Sequence, residues 1–348
     1  MGDNIAEMME VARRAGVRLR PHMKTHKCPG IARMQVEAGA TGITVAKLGE
    51  AEVMADAGFD DLLIAYPIVG DAKLERLRKL MERANIRVSL DAVEVAEGVG
   101  DVGRSIGRDI PVLIEVDTGL HRLGRPPGDP TVDLVLQVAA VTGIEVIGLL
   151  THAGHAYRCT GPEELRAAAE REGLDLVETA ERCRDAGIEL REISVGSTPT
   201  ARSAALVSGV TEIRPGTYVF NDVQQVSLGV ASERTCAARV LATVVARPAL
   251  DRFVIDAGTK ALTSDGFDIV PFPGWGLIAG RPDLRLEFLS EEHGVGRIEG
   301  SGGIAIGDRV EVIPLHVCGC VNMFDVAYGV RDGQVAEELQ IEARGRMN

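Results

Sequence analysis

The chain has 348 residues, 45% of them hydrophobic, and sets 51 Asp and Glu against 38 Lys and Arg for a formal charge of -13. That length calls for one large domain or two, and the acidity leaves no basic face for nucleic acid or an anionic membrane, so a small-molecule substrate is expected. No apolar run reaches a membrane span and the N-terminal "MGDNIAEMMEVARRAG" is amphipathic and acidic rather than a signal peptide, which makes the cytoplasm the expected compartment; there the six cysteines need no disulfides.

After that first amphipathic segment, short apolar runs alternate with helical patterns. Strands are predicted at 16–22, 42–46, 61–67, 86–91, 110–117, 146–152, 191–196 and 211–216, separated by amphipathic stretches such as 72–85 and 162–187. Eight βα units of this kind predict a closed parallel (β/α)₈ barrel of the TIM type. A doubly wound sheet would need a Gly-rich phosphate loop after its first strand, and "RPHMKTHK" (residues 20–27) is not one. Beyond about Asn221 the texture changes to short strands (238–249, 252–258, 309–318) broken by Gly and Pro. The expected division is a barrel over 1–222 and a mainly β domain over 223–348.

Chemistry in such a barrel lies at the C-terminal ends of the strands. Those ends carry Lys24, Lys47, Tyr66, Asp91, Asp117 with Arg122, His152 and His155, "SVGSTPT" and "RPGTYVFND". A strand-end lysine opposite a Gly/Ser/Thr loop is the layout of a Schiff-base lysine facing a phosphate cradle made by the backbone N–H groups around Gly196, Ser197 and Thr198. The cofactor this implies is pyridoxal 5′-phosphate. In "PLHVCGC", a strand through this segment would turn His316 and Cys318 to one face, an imidazole and a thiolate suited to a divalent metal, zinc first, with manganese or magnesium as alternatives. Cys320 would share that face as a candidate third ligand.

The set "RPHMKTHK", "ITVAKLGEAEVM", "DLLIAYPIVG", "VDTGLHRLG", "THAGHAY", "SVGSTPT", "EIRPGTYVFND" and "LHVCGCVNMFD", spread over nearly the whole chain, resembles the D-threonine aldolase and D-serine dehydratase group of the fold-type III, alanine-racemase-like enzymes. The resemblance implies that Lys24 carries the cofactor, with Lys27 as the alternative. It implies that Arg122 contacts the phenolic oxygen, that His152 lies against the ring and that His155 reaches the substrate hydroxyl as a catalytic residue. Arg214 would face the pyridine nitrogen and keep it unprotonated, while Gly216 and Thr217 offer backbone to the phosphate. Tyr218 is grouped with these cofactor residues, packing at the domain junction being its other reading. The pair His316 and Cys318 is implied to bind the metal, and Cys320, which the resembled enzymes lack, to be structural.

The expected activity is a pyridoxal-phosphate- and metal-dependent lyase acting on a D-3-hydroxy amino acid. The His-x-Cys pair favours dehydration of D-serine to pyruvate and ammonia; retro-aldol cleavage, as by a D-threonine aldolase, is the alternative, and an amino-acid racemase or a non-catalytic cofactor carrier stands behind both. A homodimer is implied, the second subunit closing the site. Relatives of this type carry a short β-domain strand before the first barrel helix. Its absence from this sequence predicts a β domain with one exposed or partner-covered edge.

Overall fold

The computed structural model describes residues 1–266, 272–300 and 303–348. Eight strands, β1 (Arg18–Leu19), β2 (Ile43–Val45), β3 (Asp61–Ile64), β4 (Asn85–Leu90), β5 (Ile110–Glu115), β6 (Ile144–Leu150), β7 (Glu192–Val195) and β8 (Glu212–Ile213), lie in the order β1-β8-β7-β6-β5-β4-β3-β2. Every pairing among them is parallel. The sheet curls until β1 meets β2, where a bridge between His22 and Thr44 and the bond from Thr44 N–H to the Pro21 carbonyl (2.9 Å) close the ring. Each of the eight predicted strands is present, several shorter than their apolar runs.

Alternation along the strands sorts side chains between two cores. Leu62, Ile64, Val112 and Ile114 face the surrounding helices, while Leu63, Leu113, Ile147 and Leu150 form a small apolar plug inside the barrel. Beneath that plug the interior is ionic. Arg20 is fully buried and bonds Glu212 (2.9 Å) and Asp61 (2.8 Å). Arg18 and Arg87 reach Glu192 at 3.4 and 3.3 Å. Gly42, at the entry to β2, is required here by close approach: a Cβ would lie against the Arg20 guanidinium and 2.6 Å from the Asp61 carbonyl.

The C-terminal part holds β9 (Val240–Ala249), β10 (Arg252–Ile255), β11 (Gly276–Ile278), β12 (Leu284–Leu289), β13 (Gly294–Ile298) and β14 (Arg309–Pro314). They close into an antiparallel barrel, β10-β13-β12-β11-β14-β9. The barrel itself leaves no open edge; the unpaired edges expected near the C-terminal strands belong to the two-stranded hairpin that follows it. The ten-residue β9 is long enough to pair with β14 through residues 240–243 and with β10 through residues 244–249, so the sheet seals on itself. A hairpin of β15 (Val326–Arg331) and β16 (Gln334–Gln340) follows. Ile5, Ile31, Val219, Phe220, Val317, Val321 and Ile341 form the apolar seam between the two parts.

A correction concerns the strand expected over 309–318. β14 stops at Pro314 and residues Val317–Val321 form a short helix. The ladder ends because Pro314 has no N–H to give and its partner strands run out there, with Val312 opposite Val240 and Pro314 opposite Gly276. All six cysteines are free, and no described helix is long and apolar enough to cross a membrane.

The ionic floor of the barrel yields a stability prediction. Replacing Arg20 by Met takes from the fully buried Glu212 its nearest cation, leaving Arg18 at 3.9 Å, and is expected to cost about 3–5 kcal/mol. The check is the free energy of unfolding from denaturant titration at neutral pH; a loss below about 1 kcal/mol would refute a structural role for this pair.

Candidate active site

β1 is followed by a single 3₁₀ turn, Met23–Thr25, that lifts Lys24 onto the C-terminal rim. Lys24 makes no ion pair among the described residues. Burial lowers its pKa; Arg122 and Arg214 add to the lowering, while Cys318 and Glu50 oppose it. Lys27 sits in the left-handed region (φ 51) and points the other way, into a 2.6 Å ion pair with Glu50. Of the two lysines left open by the sequence, one is thus committed to structure and the other faces the cleft with a free amine.

Around Lys24 stand His22, His152, Arg122 and Arg214. Burial holds both histidines well below the usual imidazole range, and the positive charges of Lys24, Arg122 and Arg214 press in the same direction. Arg214, on the loop after β8, is buried and rigidly held: Nη1 donates to the Ser194 hydroxyl and Nη2 to the Thr151 carbonyl, both at 2.5 Å. Arg122 leans toward Glu115 at 3.9 Å. Asp117 is occupied elsewhere, accepting from the backbone of Gly119 and His121 and bonding the His121 ring.

The loop after β7 departs from the sequence expectation. Gly196 (φ 113) gives its N–H to the buried Glu172 at 2.8 Å, and Ser197 gives its own to the Thr200 hydroxyl at 3.1 Å. Those two donors are spent inside the protein. The N–H groups of Thr198, Gly216 and Thr217 take no acceptor in the described chain. Gly216 packs tightly under the Lys24 turn, since a Cβ there would meet Thr25 Oγ1 at 2.9 Å and the His22 carbonyl at 3.0 Å. Tyr218 turns away from the cleft: its side chain is fully buried and its hydroxyl accepts from Gln35 Nε2 at 2.9 Å. Packing, the second reading of that residue, describes its side chain.

His316 and Cys318 are brought together, though not by strand alternation. His316 is the residue before the helix Val317–Val321, and Cys318 lies in its first turn. Asp265 binds His316 Nδ1 at 2.7 Å. Burial disfavours the imidazolium, yet Cys318 and Asp265 hold the His316 pKa well above its usual value. For Cys318, burial raises the thiol, but His316, Lys24 and a hydrogen bond from Thr25 bring it below the ordinary value. Its sulfur is 3.2 Å from Thr25 Oγ1, so the pair reaches the Lys24 turn across the seam. Cys320 faces elsewhere, donating to the Ala261 carbonyl at 3.1 Å. Among the described residues no group of three or more His, Cys, Asp or Glu is arranged to hold a metal.

His155 is not drawn into this cluster. Its ring packs over Gly119, and the charges acting on it are Asp117 and His121. Nearer the His316–Cys318 corner is Tyr157, whose hydroxyl accepts from Gln225 Nε2 at 3.3 Å and whose pKa is raised by burial, Asp222 and Cys318. Lys47 and Tyr66, two residues beyond the ends of β2 and β3, stack with Nζ 3.3 Å from the ring centre. The sequence motifs did not single out His22, Tyr157, Glu172, Asp222 or Asp265 as functional. His22 and Tyr157 stand inside motifs already quoted, Asp222 before a helix is a capping signal, and Glu172 and Asp265 carry no local signal.

The family model of the alanine racemase N-terminal domain matches residues 1–223, and that of a putative serine dehydratase domain matches residues 237–330. The chain is 36% identical to a D-threo-3-hydroxyaspartate dehydratase of Delftia sp. (strain HT23) over 91% of its own length and 88% of the relative's; a variant of that enzyme has been solved in a metal-free form. It is 29% identical to a D-serine dehydratase of Dictyostelium discoideum, covering 92% and 88%. The crystal structure of a D-threonine aldolase from Filomicrobium marinum superposes with a TM-score of 0.92 at 33% identity, covering 100% of this chain and 93% of that one.

Two outcomes are expected. Tyr218→Phe should leave activity intact and cost about 1–3 kcal/mol for the stranded Gln35 amide, measured by thermal and denaturant unfolding; loss of activity would return Tyr218 to the site. The second outcome concerns His26, buried in the Lys24 turn, whose pKa is pushed by burial from 6.5 down to about 4. Because the folded value lies below the unfolded one, its contribution is full above pH 6.5, shrinks as pH falls toward 4 and is then gone. His26→Gln should flatten the loss of stability across that window, and an unchanged profile would count against it.

Proposed function

Since the chain belongs to the alanine racemase-like family, with a second domain of the serine dehydratase type, we propose that it is a pyridoxal-phosphate- and metal-dependent lyase of D-3-hydroxy amino acids. Within that class the reading is a D-serine dehydratase-like reaction, loss of the β-hydroxyl giving a 2-oxo acid and ammonia. The observation that carries it is the meeting of an uncommitted Lys24 with the His316–Cys318 pair, through Thr25, across the seam of the two domains. A racemase has no use for such a pair. Retro-aldol cleavage to glycine and an aldehyde remains the second reading, favoured by the close superposition on a D-threonine aldolase.

The residues present suit both groups. Lys24 offers the amine, the spare N–H groups of Thr198, Gly216 and Thr217 a cradle for phosphate, and Arg122, His152 and Arg214 the walls of the ring pocket. His316 and Cys318 would hold the metal as two protein donors, zinc being the ion their softness favours, with the other positions open to substrate. When bound, the pyridoxal group supplies the electron sink and the metal a Lewis acid for the β-hydroxyl.

The chain's own part is to aim and to move protons. Lys24 Nζ, depressed in pKa by burial and two arginines, takes the α-proton. Arg214 is locked by Ser194 and Thr151 and has no proton to give up at the pyridine nitrogen, which tempers carbanion chemistry. The position of its hydroxyl supports Tyr157, rather than His155, as the group that meets the β-hydroxyl. We further place the protein in the cytoplasm as a homodimer, the second subunit closing the site, and draw the domain division between 222 and 223.

Purified enzyme incubated with D-serine, D-threonine and D-3-hydroxyaspartate, with and without chelator, tests the proposal. Metal-dependent release of 2-oxo acid and ammonia is expected; glycine would select the retro-aldol reading, and chelator-insensitive racemisation would end both. Lys24→Ala should lose the cofactor's lysine-linked absorbance and at least about 100-fold in turnover with cofactor in excess, whereas Lys27→Met should keep that absorbance.

A further inference from the structure

Asp222 closes the loop that leaves β8, and it is fully buried at the seam between the two barrels. Its carboxylate oxygens serve opposite sides. Oδ1 accepts the N–H of Gln225 at 3.1 Å, capping the helix Val223–Ser227. Oδ2 accepts the N–H of Val317 at 3.0 Å, the first residue of the helix that carries Cys318. Beside it, Gln224 N–H donates to the Leu315 carbonyl at 3.3 Å. The residues immediately before and after His316 are therefore both tied to the last loop of the barrel.

We propose that Asp222 is a positioning residue for the metal pair, fixing from the barrel side the corner on which His316 and Cys318 stand and so setting their place relative to Lys24. The inference rests on the metal-dependent reading above. Each domain contributes one carboxylate: Asp265 orients the His316 ring through Nδ1, and Asp222 anchors the backbone beneath it. β14 supplies no such anchor, because its ladder ends at Pro314 and the corner beyond has no neighbouring strand among the described residues. The far side of the corner is the contact of Cys318 Sγ with Thr25 Oγ1 at 3.2 Å and Thr217 Oγ1 at 3.8 Å. A shift of the corner by about an ångström would carry the sulfur out of hydrogen-bond reach of the Lys24 turn.

The chemistry explains why the residue is an aspartate. Two N–H groups converge on it, and only a carboxylate presents two acceptors at that spacing. Asparagine would satisfy one and set its own NH₂ against the other, and because Asp222 and Val317 are both fully buried, the corner would move to relieve the conflict.

The test measures zinc affinity of the full-length, pyridoxal-loaded enzyme by competition with a chromophoric chelator, alongside pyridoxal content and melting temperature. Asp222→Asn is the first variant. Val317→Pro is the second: it deletes the same hydrogen bond from the other end, at the first position of a helix where proline is tolerated and after a residue, His316, that is already extended (φ -133, ψ 111). Outer-shell partners of metal ligands typically contribute about 10–100-fold to affinity, so both variants are expected to bind zinc about 10–100-fold more weakly with pyridoxal content unchanged. Equal zinc affinity in wild type and both variants overturns the inference. So does parallel loss of pyridoxal phosphate and zinc, since Asp222 would then be a general support of the seam. A wild-type enzyme that binds no zinc at all removes the metal reading itself, and that outcome is visible before either variant is made.

Discussion

A buried guanidinium sets the terms for the whole barrel. Arg20 lies in the interior, shut off from solvent, so it must find carboxylates there, and it takes one from β8 and one from β3. Those two bonds tie together strands that meet on either side of the closure between β1 and β2. The same Glu212 accepts from Ser194 (2.7 Å), whose hydroxyl in turn accepts from Arg214, so the ionic floor is wired to the rim of the barrel. The chain of contacts runs from stability to function: whatever keeps Arg20 paired also keeps Arg214 aimed. It explains, too, why Gly42 has no side chain, since the guanidinium occupies that space.

The two lysines of "RPHMKTHK" show how environment, and not residue type, assigns a role. Lys27 adopts a left-handed backbone and drops into a pocket where Glu50 meets it at 2.6 Å; the other oxygen of Glu50 accepts the Ala46 N–H at 2.7 Å, and the Lys27 carbonyl receives Ala343 N–H at 3.0 Å. It is a strut between the first turn of the barrel and the C-terminal segment. Lys24, three residues earlier, is desolvated without a carboxylate of its own. A cation left in that condition lowers its pKa and becomes nucleophilic, which is the state a cofactor-bearing lysine needs.

Pocket loops in this fold are shaped by donors the protein keeps as much as by donors it leaves open. Glu172 reaches from the long helix Pro162–Asp185 to capture Gly196 N–H, and Thr200 captures Ser197 N–H. These bonds hold the loop after β7 in a fixed shape. The N–H groups left over, on Thr198 and on Gly216 and Thr217 of the next loop, follow two adjacent strands. These are the donors that would be open to a phosphate at this rim.

The sequence by itself determined the eight parallel strands, the change of texture after residue 222 and the identity of the groups on the rim, because strand alternation and helical periodicity are local patterns written in consecutive residues. It placed His316 beside Cys318 through strand alternation, whereas the two meet at a strand-to-helix corner, and that corner exists because neighbouring strands end at Val240 and Gly276, far away in sequence. Which lysine faces the cleft, which N–H groups remain free, where Tyr218 points and which strands of the β domain close into a barrel were decided only by the tertiary structure. Each depends on partners that sequence spacing cannot rank: Glu50 for Lys27, Glu172 for Gly196, Gln35 for Tyr218, and β10 and β14 on either side of β9. Burial and pairing across the fold, not composition at the motif, turn a set of candidate side chains into a site.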